Sequence, residues 1–123
     1  MKQNLLTKIG VALGFALISA LALPALAGSV VDVREVAVEI NGVKFWFPST
    51  IIAKKGDTVV IHAVSKIPGK NNVHGFAIKA FGVEEVVMGE EKEIKFEANK
   101  AGVFPINCHL HPPHVGGQLL VVE

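Results

Sequence analysis

Short apolar segments rich in β-branched residues run from residue 30 to residue 122, and Gly, Pro or Asn separates them. Such segments predict strands, because β-branched side chains pack well on a pleated sheet and the separating residues favour turns. Asn41-Gly42 is a strong signal for a two-residue hairpin, and Lys55-Gly56-Asp57 predicts another turn. The pattern therefore predicts an all-β protein, with one sandwich domain over residues 28–123.

The predicted strands follow the alternation in which every second side chain faces the core. In the first strand this alternation changes phase at Arg34-Glu35, which predicts a β-bulge there. Residues 81–91 fit no strand pattern, and a short helical turn is one interpretation of them. The predicted strands are Val30–Ile40, Val43–Phe47, Ile51–Ala53, Thr58–Val64, Val73–Ala80, Lys92–Glu97, Val103–Cys108 and Gln118–Val122.

The first 27 residues are typical of an export signal. Lys2 and Lys8 give a positive start, Ile9 to Leu23 form an apolar run, and Ala25-Leu26-Ala27 is a small-residue cleavage site. The run is shorter than the roughly 20 residues of a membrane-spanning helix, which favours cleavage over a retained anchor. We therefore expect a signal peptide at residues 1–27 and a periplasmic or otherwise exported domain, with membrane attachment only if the segment is retained.

The net charge bears on nucleic-acid binding, and the single cysteine raises the question of how its thiol is protected. The formal net charge is +1 and the basic residues form no cluster, so nucleic-acid binding is not expected. The single cysteine, Cys108, cannot form an intramolecular disulfide. In an exported protein an unpaired thiol is open to oxidation, so this residue needs burial, a partner chain or a metal ion.

Residues 107–117 read NCHLHPPHVGG and contain the only cysteine with three of the five histidines. Thiolate and imidazole donors suit copper or zinc far better than hard cations. Cys108 ends a predicted strand, which fixes its position, and the two prolines stiffen the loop that follows. The Cys-x2-His-x2-His spacing therefore allows Cys108, His111 and His114 to surround one ion.

Strand alternation adds a fourth donor from a distant segment. Cys108 shares a face with Phe104 and Ile106, and His74 shares one with Phe76, so both donors are expected on core-facing sides. His74 and Cys108 then meet at one end of the sandwich, beneath the loop. The predicted metal ligands are His74, Cys108, His111 and His114.

At these residues the sequence resembles the cupredoxins, the small blue-copper proteins. "FPSTIIAKKGDTVVI" is similar to the family's early strands, "VHGFAI" to the strand with the first histidine ligand, and "AGVFPINCHLHPPHVGGQLLVVE" to the ligand loop with its flanking strands. The resemblance implies a Greek-key β-sandwich with one copper ion per chain, held by His74, Cys108 and His111. It also implies single-electron transfer with redox partner proteins.

His114 departs from the blue-copper pattern. Amicyanins have a loop of the same length that ends in Cys-x2-His-x2-Met, and His114 stands at the methionine position. Nitrosocyanin, a red-copper relative, also has an axial histidine, and "AFGVEEV" and the closing "VVE" resemble it. Nitrosocyanin has glutamate in place of His74 and a loop two residues longer, so this sequence combines features of both.

Three functions stay open at this point. The first is an electron carrier, and the second is an open copper site that binds or transforms a small ligand such as nitric oxide. The third is copper delivery or storage, or a closed zinc site, since one thiolate and three imidazoles also satisfy tetrahedral zinc. His109 is expected to be a surface residue, and His62 is expected to be structural or solvent-facing.

Overall fold

The computed structural model describes residues 28–70, 72–111 and 115–123; the expected signal peptide at residues 1–27 lies outside them. Within these residues no helix has the length and apolar character needed to cross a membrane. A short 3-10 turn covers Lys79–Phe81. The strands of the described part are β1 (Val30–Ile40), β2 (Val43–Phe47), β3 (Thr50–Lys54), β4 (Thr58–Ser65), β5 (His74–Ile78), β6 (Val83–Val87), β7 (Lys92–Glu97), β8 (Gly102–Asn107) and β9 (Val115–Val122).

The strands form two mixed sheets. One sheet has the order β2-β1-β4-β7 and the other has the order β3-β9-β8-β5-β6. The pairs β1–β4 and β3–β9 are parallel, whereas the remaining neighbours are antiparallel. This arrangement confirms the predicted all-β sandwich.

The core lies between the sheets and is built from alternate side chains of the strands. Trp46 and Phe76 are its largest fully buried residues, and Ile106 and Leu119 lie in the same cluster. The rings of Trp46 and Phe76 pack edge to face with centroids 5.0 Å apart. This contact ties β2 of one sheet to β5 of the other, close to the start of β5.

Residues 81–91, which fitted no strand pattern, contain an edge strand. The 3-10 turn lies earlier than the sequence suggested, at Lys79–Phe81, where it overlaps the end of the predicted strand Val73–Ala80, and Gly82 ends it in the left-handed region with φ 66°. Strand β6 follows and pairs only with β5 in the described residues. Its centre, Glu84-Glu85, breaks the apolar pattern because an edge strand has solvent along one side.

Both predicted turns are present. Asn41 and Gly42 have φ 52° and 79°, as a two-residue hairpin turn between β1 and β2 requires. The β3–β4 turn is held by the Asp57 carboxylate, which accepts hydrogen bonds from the Lys54 backbone at 2.8 Å and from the Ser29 hydroxyl at 2.9 Å. These bonds favour the charged form and lower the pKa of Asp57.

The predicted β-bulge at Arg34-Glu35 is wrong. Strand β1 stays in unbroken register with β4 from Val30↔Thr58 to Ala37↔Ser65. The regular strand therefore turns Glu35 to the same side as the buried Ala37, and Glu35 has no exposed surface. Neither of its carboxylate oxygens has a hydrogen-bond partner among the described residues. Desolvation raises the pKa of Glu35 from 4.5 to about 8, so the carboxyl is mostly protonated at neutral pH.

Glu35 should make the protein less stable as pH rises. Because its pKa is about 8 when folded and 4.5 in the reference state, the folded state holds the extra proton between these values. The free energy of unfolding should then fall by up to about 1.4 kcal/mol per pH unit in that window. Denaturant titrations followed by Trp46 fluorescence at several pH values would measure this slope.

The Glu35→Gln variant should flatten this pH dependence, because an amide of the same shape does not titrate. Glu39→Gln is the matched control, since Glu39 lies on the same strand with a partly exposed side chain. Equal slopes for the wild type and the Glu35→Gln variant would show that Glu35 is not the group responsible.

Candidate metal centre

Cys108 lies directly beyond the end of β8, with only 1% of its surface exposed. The backbone N–H of His111 donates to the Cys108 carbonyl at 3.2 Å, which closes a tight turn. This turn brings Nδ1 of His111 to 3.4 Å from Sγ of Cys108. A local backbone bond therefore places the second donor beside the first.

His74 reaches the same point from β5. Strand β5 is antiparallel to β8, and the pairing Ala77↔Asn107 places the start of β5 beside Cys108. One donor atom each from His74, Cys108 and His111 lies within 4.8 Å of the others. The first two residues are buried and His111 is exposed. The structure thus brings together three of the four predicted ligands.

The remaining histidines have separate positions. His114, the predicted axial ligand, lies outside the described residues. His62 lies on the outer face of β4, where Nε2 is 3.4 Å from Asp32 and Nδ1 is 3.3 Å from Glu91. His109 was expected at the surface but is half-buried. It packs against the backbone of Gly75, because β5 and β8 lie side by side there.

Gly75 is the residue that lets the two strands approach each other. Its backbone N–H donates to Sγ of Cys108 at 3.2 Å. A Cβ at this position would lie 2.8 Å from Nδ1 of His109 and 3.2 Å from Sγ of Cys108. Only glycine therefore fits between His74 and the loop. A hydrogen bond to the sulfur stabilises a thiolate and tunes a metal bound to it.

Trp46 packs against the buried ring of His74 and holds the neighbouring backbone. Its indole Nε1–H donates to the Gly75 carbonyl at 3.2 Å, and its ring lies 5.2 Å from the His74 ring. Gly116 makes room for the indole, since a Cβ there would lie 2.8 Å from Cδ1 of Trp46. The roles of Gly75 and Trp46 were not predicted. The sequence did contain one indication of the role of Gly75, because a glycine inside a strand often marks a place where another backbone approaches closely.

The donor set fits copper. A buried thiol and two imidazoles match the soft and borderline ligands that copper prefers, and they differ from the oxygen ligands of magnesium or calcium. Cys108 and His74 are held by strands and by Gly75 and Trp46, so they need no rearrangement to face one ion. His111, at the surface, is the donor that solvent or a partner can reach.

Comparisons with known proteins agree with this assignment of fold. The sequence matches the family model of the cupredoxin-like domain over residues 11–121. No curated protein sequence matches it.

Solved structures show the same fold at low sequence identity. Copper nitrite reductase from Nitrosomonas europaea has a TM-score of 0.61 and 22% identity, over 76% of this chain and 41% of that chain. The chain thus spans less than half of that enzyme. A copper binding protein in its apo form has a TM-score of 0.53 and 24% identity, over 70% and 94% of the two chains. The metal binding domain of the Streptococcus pneumoniae D39 Cu(I)-exporting P-type ATPase has a TM-score of 0.52 and 19% identity, over 76% and 96%.

Replacing Gly75 by alanine should lower the metal affinity of the centre while the protein still folds. The added methyl group would overlap the His109 backbone nitrogen, which lies 2.9 Å from the ideal Cβ position. The loop must then move away from His74, and metal affinity should fall at least about tenfold. Competition titration with a chelator would measure the affinity.

Gly89→Ala is the control, because a Cβ there meets only the amide end of Asn72 at 3.0 Å. The Gly75→Ala variant should keep a cooperative unfolding transition, which excludes simple misfolding. Unchanged metal affinity in a folded Gly75→Ala variant would contradict the proposed role of the close approach.

Proposed function

Because the chain belongs to the cupredoxin-like domain family, we propose that it is an exported protein that binds one copper ion and passes single electrons. The observation that carries the proposal is the cluster of His74, Cys108 and His111, whose donor atoms lie within 4.8 Å of one another. His114 completes the proposed ligand set. Copper would supply the one-electron chemistry, as it alternates between Cu(II) and Cu(I).

The contribution of the chain is to hold the donors in one arrangement in both oxidation states. Cys108 lies just beyond the end of β8 and His74 at the start of the neighbouring β5, and each has 1% exposed surface. The Gly75 N–H bond to the sulfur and the Trp46 bond to the Gly75 carbonyl restrict both strands. A fixed geometry reduces the rearrangement that accompanies each electron transfer. The exposed imidazole of His111 gives electrons a short route to the surface.

Export is proposed from the first 27 residues, which have the pattern of a signal peptide. An exported carrier would exchange electrons with other proteins of the same compartment. The metal donors would determine the electron chemistry. The surface around His111 would determine which redox partners bind.

A second function is favoured by the exposure of His111. A ligand that solvent reaches leaves one side of the centre accessible, and an axial imidazole from His114 would weaken the copper–thiolate bond relative to a thioether. Such a centre would take up a small ligand such as nitric oxide, and the chain would then act in small-molecule redox chemistry. The two functions differ in whether azide or nitric oxide alters the spectrum of the oxidised protein.

The oxidised copper protein should show an intense visible band from thiolate-to-copper charge transfer, with one copper per chain. Cys108→Ser should abolish the band, because a hydroxyl is a poor donor compared with a thiolate. Metal analysis and a visible spectrum of each protein measure these outcomes.

His109→Ala and His62→Ala are the controls, since neither residue belongs to the donor cluster. Both variants should keep the band and the stoichiometry. A colourless protein that holds one zinc ion when purified from its native compartment would instead favour a structural zinc site.

Replacing His114 by methionine should raise the reduction potential and make the protein bluer. Imidazole is a stronger donor than a thioether and stabilises Cu(II), so its removal favours Cu(I). The shift should reach at least about 59 mV, which corresponds to a tenfold change in the one-electron equilibrium. Protein-film voltammetry together with the visible spectrum would measure it.

His62→Met places the same side chain on β4, where His62 contacts Asp32 and Glu91 and not the donor cluster, and should leave both quantities unchanged. If His114→Met alters neither colour nor potential, His114 is not a ligand and the centre contains only the three clustered donors.

A further inference from the structure

An open groove lies beside the exposed donor His111. The segment between β4 and β5 forms one wall, Lys44 of β2 borders it, and Leu110 and His111 of the loop after β8 form the other wall. Ile67 and Pro68 give the groove an apolar floor, and 40% of the Leu110 surface is exposed. The groove therefore joins apolar surface directly to the residue through which electrons would leave.

The charged residues that line this groove are positive. Lys44 and Lys70 line it, whereas none of its lining residues carries a carboxylate. The carboxylate of Glu39 approaches Lys44 only to 3.9 Å, at the outer limit of an ion pair. The groove thus presents lysine charge at its border, close to His111.

Acidic side chains elsewhere on the described surface are closely paired with basic ones. Glu85 of β6 forms an ion pair with Lys92, and Glu91 forms one with Arg34 at 2.8 Å. The partner of Lys44 at the groove border is more distant, since Glu39 lies 3.9 Å away. A local excess of one charge orients an approaching charged partner more than the formal net charge of +1 does.

We propose that this lysine-bordered groove is the docking surface for an acidic redox protein. The inference rests on the proposed electron-transfer function and specifies the partner of the same site. A partner with carboxylates around an apolar patch would place its redox group against His111. Charge complementarity would supply orientation and association rate, and the apolar floor would supply contact area.

The lining favours a protein over a small anion. Lys44 belongs to a strand and Lys70 to a loop, and both line an open groove of mixed polar and apolar character. A small-anion site needs several donors that converge on one point in a protected position, such as backbone N–H groups or a bidentate arginine. An open, partly apolar groove with separate cations instead resembles a transient protein interface.

The test uses reduced cytochrome b5, a small acidic haem protein, as the probe partner. In the reaction one electron passes from ferrous haem to Cu(II), which leaves ferric haem and Cu(I), and no proton is required. The Lys44→Gln/Lys70→Gln double variant should slow this reaction about tenfold at an ionic strength of about 0.01 M. The difference should vanish near 0.3 M, because salt screens exposed charges. Stopped-flow absorbance of the haem measures the rates.

A matched double variant controls for net charge. Lys54→Gln/Lys95→Gln removes two exposed lysines outside the groove, so it should slow the reaction much less than the groove variant does. If the two double variants slow it equally, only the overall charge matters and the docking inference is wrong.

Binding gives a readout that is independent of electron transfer. Oxidised cytochrome b5 should bind the metal-free protein, as measured by calorimetry at low salt, and the groove variant should bind it several-fold more weakly. If the groove variant instead loses binding of inorganic phosphate but keeps its affinity for cytochrome b5, the groove is a small-anion site and the inference is wrong.

The failure of the proposed function is recognised separately. Protein-film voltammetry should give a one-electron wave at the same potential for the wild type and both double variants. If the wild type gives no such wave, the electron-carrier function is wrong, while the calorimetric comparison still decides whether the groove binds the acidic protein.

Discussion

The hydrogen bond from the Gly75 backbone to the Cys108 sulfur is the contact on which the centre depends. It joins two residues that are 33 positions apart in sequence, and at 3.2 Å it requires the backbone of β5 to lie almost against the loop after β8. A side chain at position 75 would prevent this approach. The same contact places His74, the preceding residue, beside the thiol. The indole of Trp46 donates a hydrogen bond to the Gly75 carbonyl, and this bond restricts the position of β5 at the centre.

Much of this arrangement could be predicted because it depends on local rules. The two-residue alternation places His74 and Cys108 on core-facing sides, and the three-residue spacing from Cys108 to His111 matches a single backbone turn. The close packing of Gly75 and Trp46 could not be predicted in the same way. It depends on which strands become neighbours across the sandwich, and single-sequence patterns do not contain that information. The half-burial of His109 depends on a different pairing that the sequence also does not show, because β5 and β8 are neighbours within one sheet.

The wrong prediction at Glu35 has a different cause. There, the local change in alternation was given more weight than the pairing of the strand with its neighbour. The phase change at Arg34-Glu35 predicted a bulge at this point of β1. The unbroken ladder between β1 and β4 instead keeps the strand regular and buries the side chain. A bulge leaves a residue unpaired and disrupts the ladder, whereas the buried acid lowers its desolvation penalty by holding a proton. The unbroken hydrogen bonding between β1 and β4 therefore outweighed the preference of the Glu35 carboxyl for water.

The two ends of the sandwich use buried polar groups in different ways. At the β3–β4 turn, Asp57 stays charged because backbone and hydroxyl donors surround it, so it serves only to close the turn. At the other end, donor atoms of the buried His74 and Cys108 lie within 4.8 Å of each other and of His111, which is the exposed member of this cluster of described residues. A stability function alone would be served by apolar residues at these positions, because buried polar groups add little net stability. Their concentration at one end therefore requires a functional reason, and the proposed metal centre supplies one.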